Sequence, residues 1–132
     1  MYRVLLVEDE PLILEGLCMA TPWARYGCTV AGKAYNAEEA ERLIVELRPD
    51  IVITDINMPG GSGLELIERM KGRCGCEFII LSGYDQFEYA KKAVFLGVKG
   101  YILKPLDEEE LRTVLESAIR SLEQKRAGAQ PA

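Results

Sequence analysis

The sequence predicts an α/β domain built on a parallel β-sheet. Short apolar runs typical of strands alternate with stretches whose apolar residues recur every three to four positions, as in helices. The run Ile51–Thr54 is uninterrupted by charge, which is typical of a strand buried on both faces. Alternation of this kind favours parallel strands. Two parallel neighbours must be joined by a crossover connection, which is usually a helix.

Length and charge limit the classes of protein. A chain of 132 residues suits one domain. Its net charge of -5 argues against direct binding to nucleic acid, which is held mainly by Lys and Arg. No apolar run is long enough for a membrane span, and the N-terminus lacks a signal-peptide pattern. We therefore expect a cytoplasmic protein with no membrane partner.

The cysteines predict no metal site. A site at Cys74 and Cys76 would need further thiolates or histidines, and the chain contains no histidine. A disulfide across one glycine would be strained, so all four cysteines, including Cys18 and Cys28, are expected to be reduced thiols. Because it has no histidine, this chain cannot carry a phosphohistidine. Any protein that donates a phosphoryl group from a phosphohistidine must therefore be a different protein.

The first third of the chain predicts two strands and two helices. Residues 3–7 form a strand, and a helix begins near Pro11 and ends before Pro22. Residues 28–34 form a less apolar strand, which we place at the sheet edge. Asn36, with Glu39 three residues later, predicts the cap of the next helix.

The remainder of the chain predicts three more strands and three helices. Pro49 ends the second helix, and residues 51–54, 78–82 and 101–104 read as strands. The third helix follows a Pro/Gly-rich loop, and the fourth ends at Gly97. Asp107 and Glu110 form the predicted capping box of the last helix, whose apolar residues continue to Leu122. We assign residues 1–123 to the domain and residues 124–132 to a tail or linker.

Polar residues lie at the carboxyl ends of four of the predicted strands, or directly after them. They are Glu8, Asp9, Asp55, Ser82 and Lys104. The carboxyl ends of parallel strands share one edge of a sheet, so these side chains should lie together. Carboxylate oxygens suit Mg²⁺, and an aspartate can attack phosphorus to form an acyl phosphate. The set therefore predicts a magnesium-dependent site built around a nucleophilic Asp55.

These motifs, in this order, resemble the receiver domain of bacterial two-component response regulators. The matching segments are residues 7–10 (Val-Glu-Asp-Glu), 55–59 (Asp-Ile-Asn-Met-Pro), 81–83 (Leu-Ser-Gly) and 100–105 (Gly-Tyr-Ile-Leu-Lys-Pro). The resemblance runs from about residue 3 to residue 122. It implies a CheY-like, flavodoxin-like fold: a doubly wound five-stranded parallel sheet of order 2-1-3-4-5 with five helices.

The resemblance also implies a role for each site residue. Asp55 is the phosphoacceptor, and Mg²⁺ is held by Glu8, Asp9, Asp55 and the backbone carbonyl of Asn57. Ser82, Tyr101 and Lys104 bind the phosphoryl group or respond to it, and the Lys104–Pro105 peptide bond is expected to be cis. The side chains of Asn57 and Tyr84 tune the phosphoryl lifetime.

The sequence departs from the family pattern in two places. The loop at residues 60–63 lacks the acidic residue that often precedes its final glycine, so Ser62 is the candidate cap of the third helix. Glu8-Asp9 replaces the commoner Asp-Asp pair. Both positions keep carboxylates, so we expect metal binding to persist, with a changed reach of the side chain at position 8.

The implied function is a phosphorylation switch. A sensor histidine kinase donates the phosphoryl group, and the face formed by helix 4, strand 5 and helix 5 controls homodimerisation or an output domain. Residues 82–93 are similar to receivers that precede an AraC-type helix-turn-helix domain, so DNA would be bound only through a domain absent from this chain.

Two other functions remain open at this stage. One is an interaction module that is never phosphorylated; the intact acidic residues and Lys104 argue against it. An aspartyl-phosphate phosphatase of the haloacid-dehalogenase type would need a second carboxylate at position 57, where this chain has Asn57. We therefore expect no enzyme beyond slow self-dephosphorylation.

Overall fold

The sheet has the predicted strands in the predicted order. The computed structural model describes residues 1–83 and 86–129. Its five-stranded parallel sheet has the order β2-β1-β3-β4-β5. The strands are β1 (Tyr2–Val7), β2 (Cys28–Ala34), β3 (Ile51–Thr54), β4 (Glu77–Ser82) and β5 (Gly100–Leu103). The predicted edge position of β2 is confirmed.

Five α-helices cover the two faces of the sheet. They are α1 (Pro11–Ala20), α2 (Ala37–Leu47), α3 (Gly63–Met70), α4 (Phe87–Leu96) and α5 (Glu108–Ala129). Two further elements were not predicted: a 3₁₀ turn at Trp23–Tyr26, and a two-residue hairpin pairing Asn57–Met58 with Gly61–Ser62. Among the residues described, no helix is both long and apolar enough to cross a membrane.

Alternate residues of the strands pack into two separate hydrophobic cores, one on each face of the sheet. Leu5, Val52 and Ile80 pack with α2, α3 and α4 on one face. Leu6 and Ile53 pack with α1 and α5 on the other. Both cores are almost free of solvent, as expected for parallel strands covered on both sides.

The helix ends follow the predicted capping residues. Asn36 accepts a hydrogen bond from the backbone N–H of Glu39 (2.7 Å), and Ser62 accepts one from that of Leu64 (3.0 Å). Asp107 caps α5, although its carboxylate accepts from the N–H of Glu109 rather than from residue 110 (3.0 Å). Gly97 ends α4 with φ of 78°, a conformation that suits glycine.

The last helix extends beyond its apolar residues. No apolar periodicity follows Leu122, yet α5 continues to Ala129. Ion pairs hold this extension: Lys125 contacts the buried Glu77 at the start of β4, and Arg126 contacts Asp50 just before β3. Residues 124–129 of the predicted tail are therefore helical, and residues 130–132 lie outside the described residues.

The expectation of four reduced thiols is wrong for one pair. The structure joins Cys74 and Cys76 by a disulfide, with a Cα–Cα distance of 5.3 Å that lies within the usual range for disulfides. The turn between α3 and β4 brings the two residues this close, with Gly75 between them. Cys18 and Cys28 are free cysteines, as expected.

Cys28 is expected to resist alkylation in the native protein. It is 1% exposed, and burial raises the pKa of its thiol to about 11. At pH 8 very little thiolate is present, and reagents reach it poorly. Iodoacetamide labelling followed by peptide mass spectrometry should modify the half-buried Cys18 at least about tenfold faster than Cys28. Equal labelling of both in folded protein would contradict this prediction, and equal labelling in urea is the control.

Candidate functional site

Three carboxylates meet at the carboxyl edge of the sheet. Glu8 and Asp9 follow β1, and Asp55 follows the neighbouring strand β3. The N–H of Asp55 donates to the carbonyl of Val7 (3.1 Å), which aligns the two strand ends. One carboxylate oxygen from each of Glu8, Asp9 and Asp55 lies within 4.8 Å of the others. The predicted clustering of these residues is thus present.

Lys104 brings a positive charge to this cluster. Its Nζ donates to Glu8 Oε1 (2.5 Å) and lies 3.3 Å from Asp55 Oδ2. The backbone N–H of Lys104 donates to the carbonyl of Ser82 (2.8 Å), and the Lys104–Pro105 bond is cis, as predicted. Burial opposes the charge of Lys104, but the hydrogen bond to Glu8 and the charge of Asp55 together raise its pKa. The side chain of Lys104 therefore stays protonated and positively charged.

Glu8 is the most deeply buried carboxylate of the cluster. Its side chain is 5% exposed. Burial raises the pKa of Glu8; the hydrogen bond from Lys104 opposes this rise, and the neighbouring Asp9 and Asp55 add to it. The site thus concentrates negative charge that a single lysine offsets only in part.

The two oxygens of Asp55 have different partners. Oδ1 accepts a hydrogen bond from the N–H of Ile56 (2.7 Å), whereas Oδ2 lies toward Lys104. The side chain is 10% exposed, so only a small part of it reaches solvent. The backbone amide therefore fixes the orientation of the carboxylate, with Oδ2 directed toward Lys104.

Gly63 packs closely against the backbone of Asp55, and its role was not predicted from the sequence. Its N–H donates to the carbonyl of Ile56 (2.8 Å). A Cβ at this position would lie 1.9 Å from the carbonyl oxygen of Asp55 and 3.1 Å from Oγ1 of Thr54. The first turn of α3 can therefore approach the end of β3 only with glycine here. The glycine that ends the loop before Leu64 was the available signal.

The other predicted residues occupy the same end of the sheet or its vicinity. Ser82 is fully buried at the end of β4, and the half-buried Tyr101 packs against the core on the α4 side. Asn57 is exposed in the hairpin that follows Asp55. Tyr84 lies outside the described residues, so its predicted role stays a prediction, as do those of Asn57, Ser82 and Tyr101.

The donor set fits the metal that the resemblance implies. Three carboxylates within reach of one another offer the hard oxygen ligands that Mg²⁺ prefers. Glu10, which we did not assign as a ligand, is exposed. Glu8, Asp9 and Asp55 are thus the residues that would hold the ion.

Comparison with known proteins identifies the class to which this fold and site belong. The family model of the response regulator receiver domain matches residues 4–116. The chain belongs to this family and is a receiver domain of a two-component system.

Two curated relatives are transcriptional regulators by name. The chain is 44% identical to the uncharacterized transcriptional regulatory protein YesN of Bacillus subtilis over 126 residues, which cover 95% of this chain and 34% of the relative. It is 38% identical to the transcriptional regulatory protein HptR of Staphylococcus aureus over 122 residues, covering 92% of this chain and 48% of the relative. The chain thus spans about a third to a half of these relatives.

Solved receiver structures superpose over nearly the whole chain. The receiver (REC) domain of AraT, a response regulator from Geobacillus stearothermophilus, has a TM-score of 0.85 and 35% identity, covering 95% of this chain and 98% of that one. A response regulator receiver domain from Clostridium thermocellum has a TM-score of 0.84 and 27% identity, covering 94% and 98%.

Proposed function

We propose that Asp55 accepts a phosphoryl group from a phosphohistidine of a partner sensor histidine kinase, in a reaction that requires Mg²⁺. The observation that carries this proposal is the position of Asp55 Oδ2, in a cluster of three carboxylates and 3.3 Å from Lys104 Nζ. Phosphoryl transfer needs mainly positioning and neutralisation of charge, and this arrangement supplies both.

The residues of the site have different roles in the transfer of the phosphoryl group. Oδ2 of Asp55 forms the new O–P bond while the N–P bond of the donor breaks, and its electron pair leaves with the imidazole nitrogen. The N–H of Ile56 holds Oδ1 and so orients the attack. Bound Mg²⁺ would neutralise charge on the phosphoryl oxygens. Lys104 is close enough to exchange its contact with Glu8 for one with the new phosphoryl group, and the hydroxyl of Ser82 is the candidate donor to it.

The phosphoryl group would act through the face formed by α4, β5 and α5. Large apolar side chains are exposed here: Phe87 (76%), Val94 (78%) and Leu103 (38%). Exposed apolar side chains in one region are typical of a surface that binds another protein. We propose that phosphorylation biases this face toward a homodimer, or toward an output domain of the AraC type that binds DNA.

The test is intact-mass spectrometry after incubation with acetyl phosphate and Mg²⁺. We expect one hydroxylamine-labile phosphoryl group on wild type and none on Asp55→Asn. Asp107→Asn is the matched control, because asparagine caps a helix as well as aspartate does and the residue lies outside the acidic cluster. It should be phosphorylated like wild type. If neither acetyl phosphate nor a phosphohistidine donor labels wild type, the interaction-module function would replace this one.

We propose that the domain does not turn over small phosphate esters. A phosphatase of the haloacid-dehalogenase type uses a second carboxylate two residues after its nucleophile as general acid, and Asn57 can neither donate nor accept a proton in that role. Incubation with p-nitrophenyl phosphate and Mg²⁺ should release no more product from wild type than from Asp55→Asn. Multiple turnovers dependent on Asp55 would contradict this.

A further inference from the structure

The two residues of the Cys74–Cys76 disulfide differ in their exposure. Cys76 is 6% exposed and packs in the core on the side of α2, α3 and α4. Cys74 is half-buried and lines a surface cavity of about 420 Å³, at the edge of the sheet opposite to Asp55. A dissolved molecule therefore reaches the disulfide from the side of Cys74.

This disulfide closes a very short loop. Only Gly75 separates the two cysteines, and a bridge across so few residues removes little conformational entropy from the unfolded chain. Its stabilising effect is therefore small compared with that of a bridge between distant segments. The position of Cys74 on the wall of the cavity, in contrast, suits the bridge to thiol–disulfide exchange.

The cavity beside Cys74 has a positively charged rim. The charged groups that line it are those of Arg48, Arg73, Arg126 and Asp50. Arg126 pairs with Asp50. In the part of the chain that the structure describes, neither Arg48 nor Arg73 forms an ion pair.

The helix ends nearby do not cancel this charge. α2 ends just before Arg48 and α3 ends at Met70, so the partial negative charges of two helix C-termini lie near the cavity. Each is equivalent to about half an elementary charge, so together they offset about one of the two unpaired guanidinium groups. The rim keeps a net positive charge, which favours an anionic ligand.

We propose that Cys74–Cys76 is a site of thiol–disulfide exchange for low-molecular-weight thiols that bear a carboxylate. The cavity places such a thiol beside Cys74, and Arg48 and Arg73 attract its carboxylate. The floor, formed partly by Ile44 and Met70, accommodates its apolar part.

The exchange proceeds in two balanced steps. The thiolate of the small molecule attacks Sγ of Cys74 and forms a mixed disulfide; the Cys74–Cys76 bond breaks, and its electron pair leaves with Sγ of Cys76, which takes a proton from water. A second small thiol then attacks the sulfur of the first and releases Cys74 as a thiolate. Two thiols are oxidised to one small disulfide, and the protein disulfide is reduced to two thiols.

The test compares thiols of different charge on the oxidised protein. 3-Mercaptopropionate, 2-mercaptoethanol and cysteamine carry negative, neutral and positive charge on bodies of similar size. At intervals the released thiols are alkylated, and the peptide that contains Cys74 and Cys76 is quantified by mass spectrometry. Each thiol is assayed on wild type and on the double variant Arg48→Ala/Arg73→Ala, because the ratio of the two rates cancels the intrinsic reactivity of the thiol.

We expect the double variant to slow opening by 3-mercaptopropionate about three- to tenfold, as electrostatic attraction of a charged reagent allows. The rate with cysteamine should stay unchanged or rise. Arg25→Ala, which removes another exposed arginine outside the cavity, should leave all three ratios near one. Equal slowing of all three thiols, or no slowing of 3-mercaptopropionate, would overturn the proposal. The proposal would also be overturned if both cysteines of air-oxidised protein were alkylated at once without any added thiol, because they would then not form a disulfide.

Discussion

Gly63→Ala is expected to lower the free energy of unfolding by about 3 kcal/mol, the upper end of the usual cost of overpacking. The new Cβ would lie 1.9 Å from the carbonyl oxygen of Asp55, and backbone cannot rotate away as a flexible side chain can. Either α3 or the end of β3 must shift. Because that shift moves Asp55, acceptance of a phosphoryl group from acetyl phosphate should slow as well. Urea denaturation and intact-mass time courses measure the two effects.

Gly72→Ala is the matched control for this substitution. Gly72 lies in the turn after α3, and a Cβ built on it has no heavy atom within 4 Å. The change should therefore alter stability by less than about 0.5 kcal/mol, as for most surface positions. Similar losses in the two variants would show that the close approach at Gly63 is not what requires glycine.

Lys104→Met is expected to destabilise the domain by about 2 kcal/mol at pH 8 without divalent cations, somewhat less than the loss for one partner of a fully buried ion pair. The side chains of Glu8 and Asp55 are only 5% and 10% exposed, and the substitution leaves their charges without Lys104. Methionine keeps much of the volume of the lysine stem. Urea denaturation in EDTA measures the loss.

The loss in Lys104→Met should depend on both pH and Mg²⁺. The pKa of Glu8 is raised in the folded state, so its protonation relieves repulsion as pH falls, and the penalty should shrink toward pH 5. Mg²⁺ should stabilise the variant more than wild type, because it replaces the missing positive charge. Lys33→Met, which breaks the partly exposed pair with Glu15, is the control and should show neither dependence. Equal effects of Mg²⁺ on wild type and Lys104→Met would contradict this account of the cluster.

The parallel sheet made most of the site predictable. Strands that run in one direction end at one edge, so Glu8, Asp9, Asp55 and Lys104 had to approach one another once the strands were recognised. The apolar run at Ile51–Thr54 sufficed to place β3 in the interior, and the capping residues located the starts of α2, α3 and α5. The partner of each oxygen of Asp55 could not be inferred, because it depends on side-chain rotation.

What the sequence did not predict depends on distances between separate segments. Gly63 is required by the approach of two backbones, which leaves no pattern of periodicity. The disulfide depends on how tightly the chain turns between α3 and β4. The last turns of α5 depend on Glu77 and Asp50, which precede them by dozens of residues, so polarity alone suggested a tail.

The attachment of α5 separates two regions of the domain in space. Lys125 and Arg126 fix its last turns at the starts of β3 and β4, whereas Asp55 lies at the end of β3. Strands of four to six residues place these edges roughly 13–20 Å apart. Under the proposed function, a kinase would engage the acidic edge, which lies at the opposite end of the strands from the last turns of α5. Asp55 and the last turns of α5 thus lie at opposite edges of the sheet, so a partner that contacts only those turns would not touch the acidic cluster.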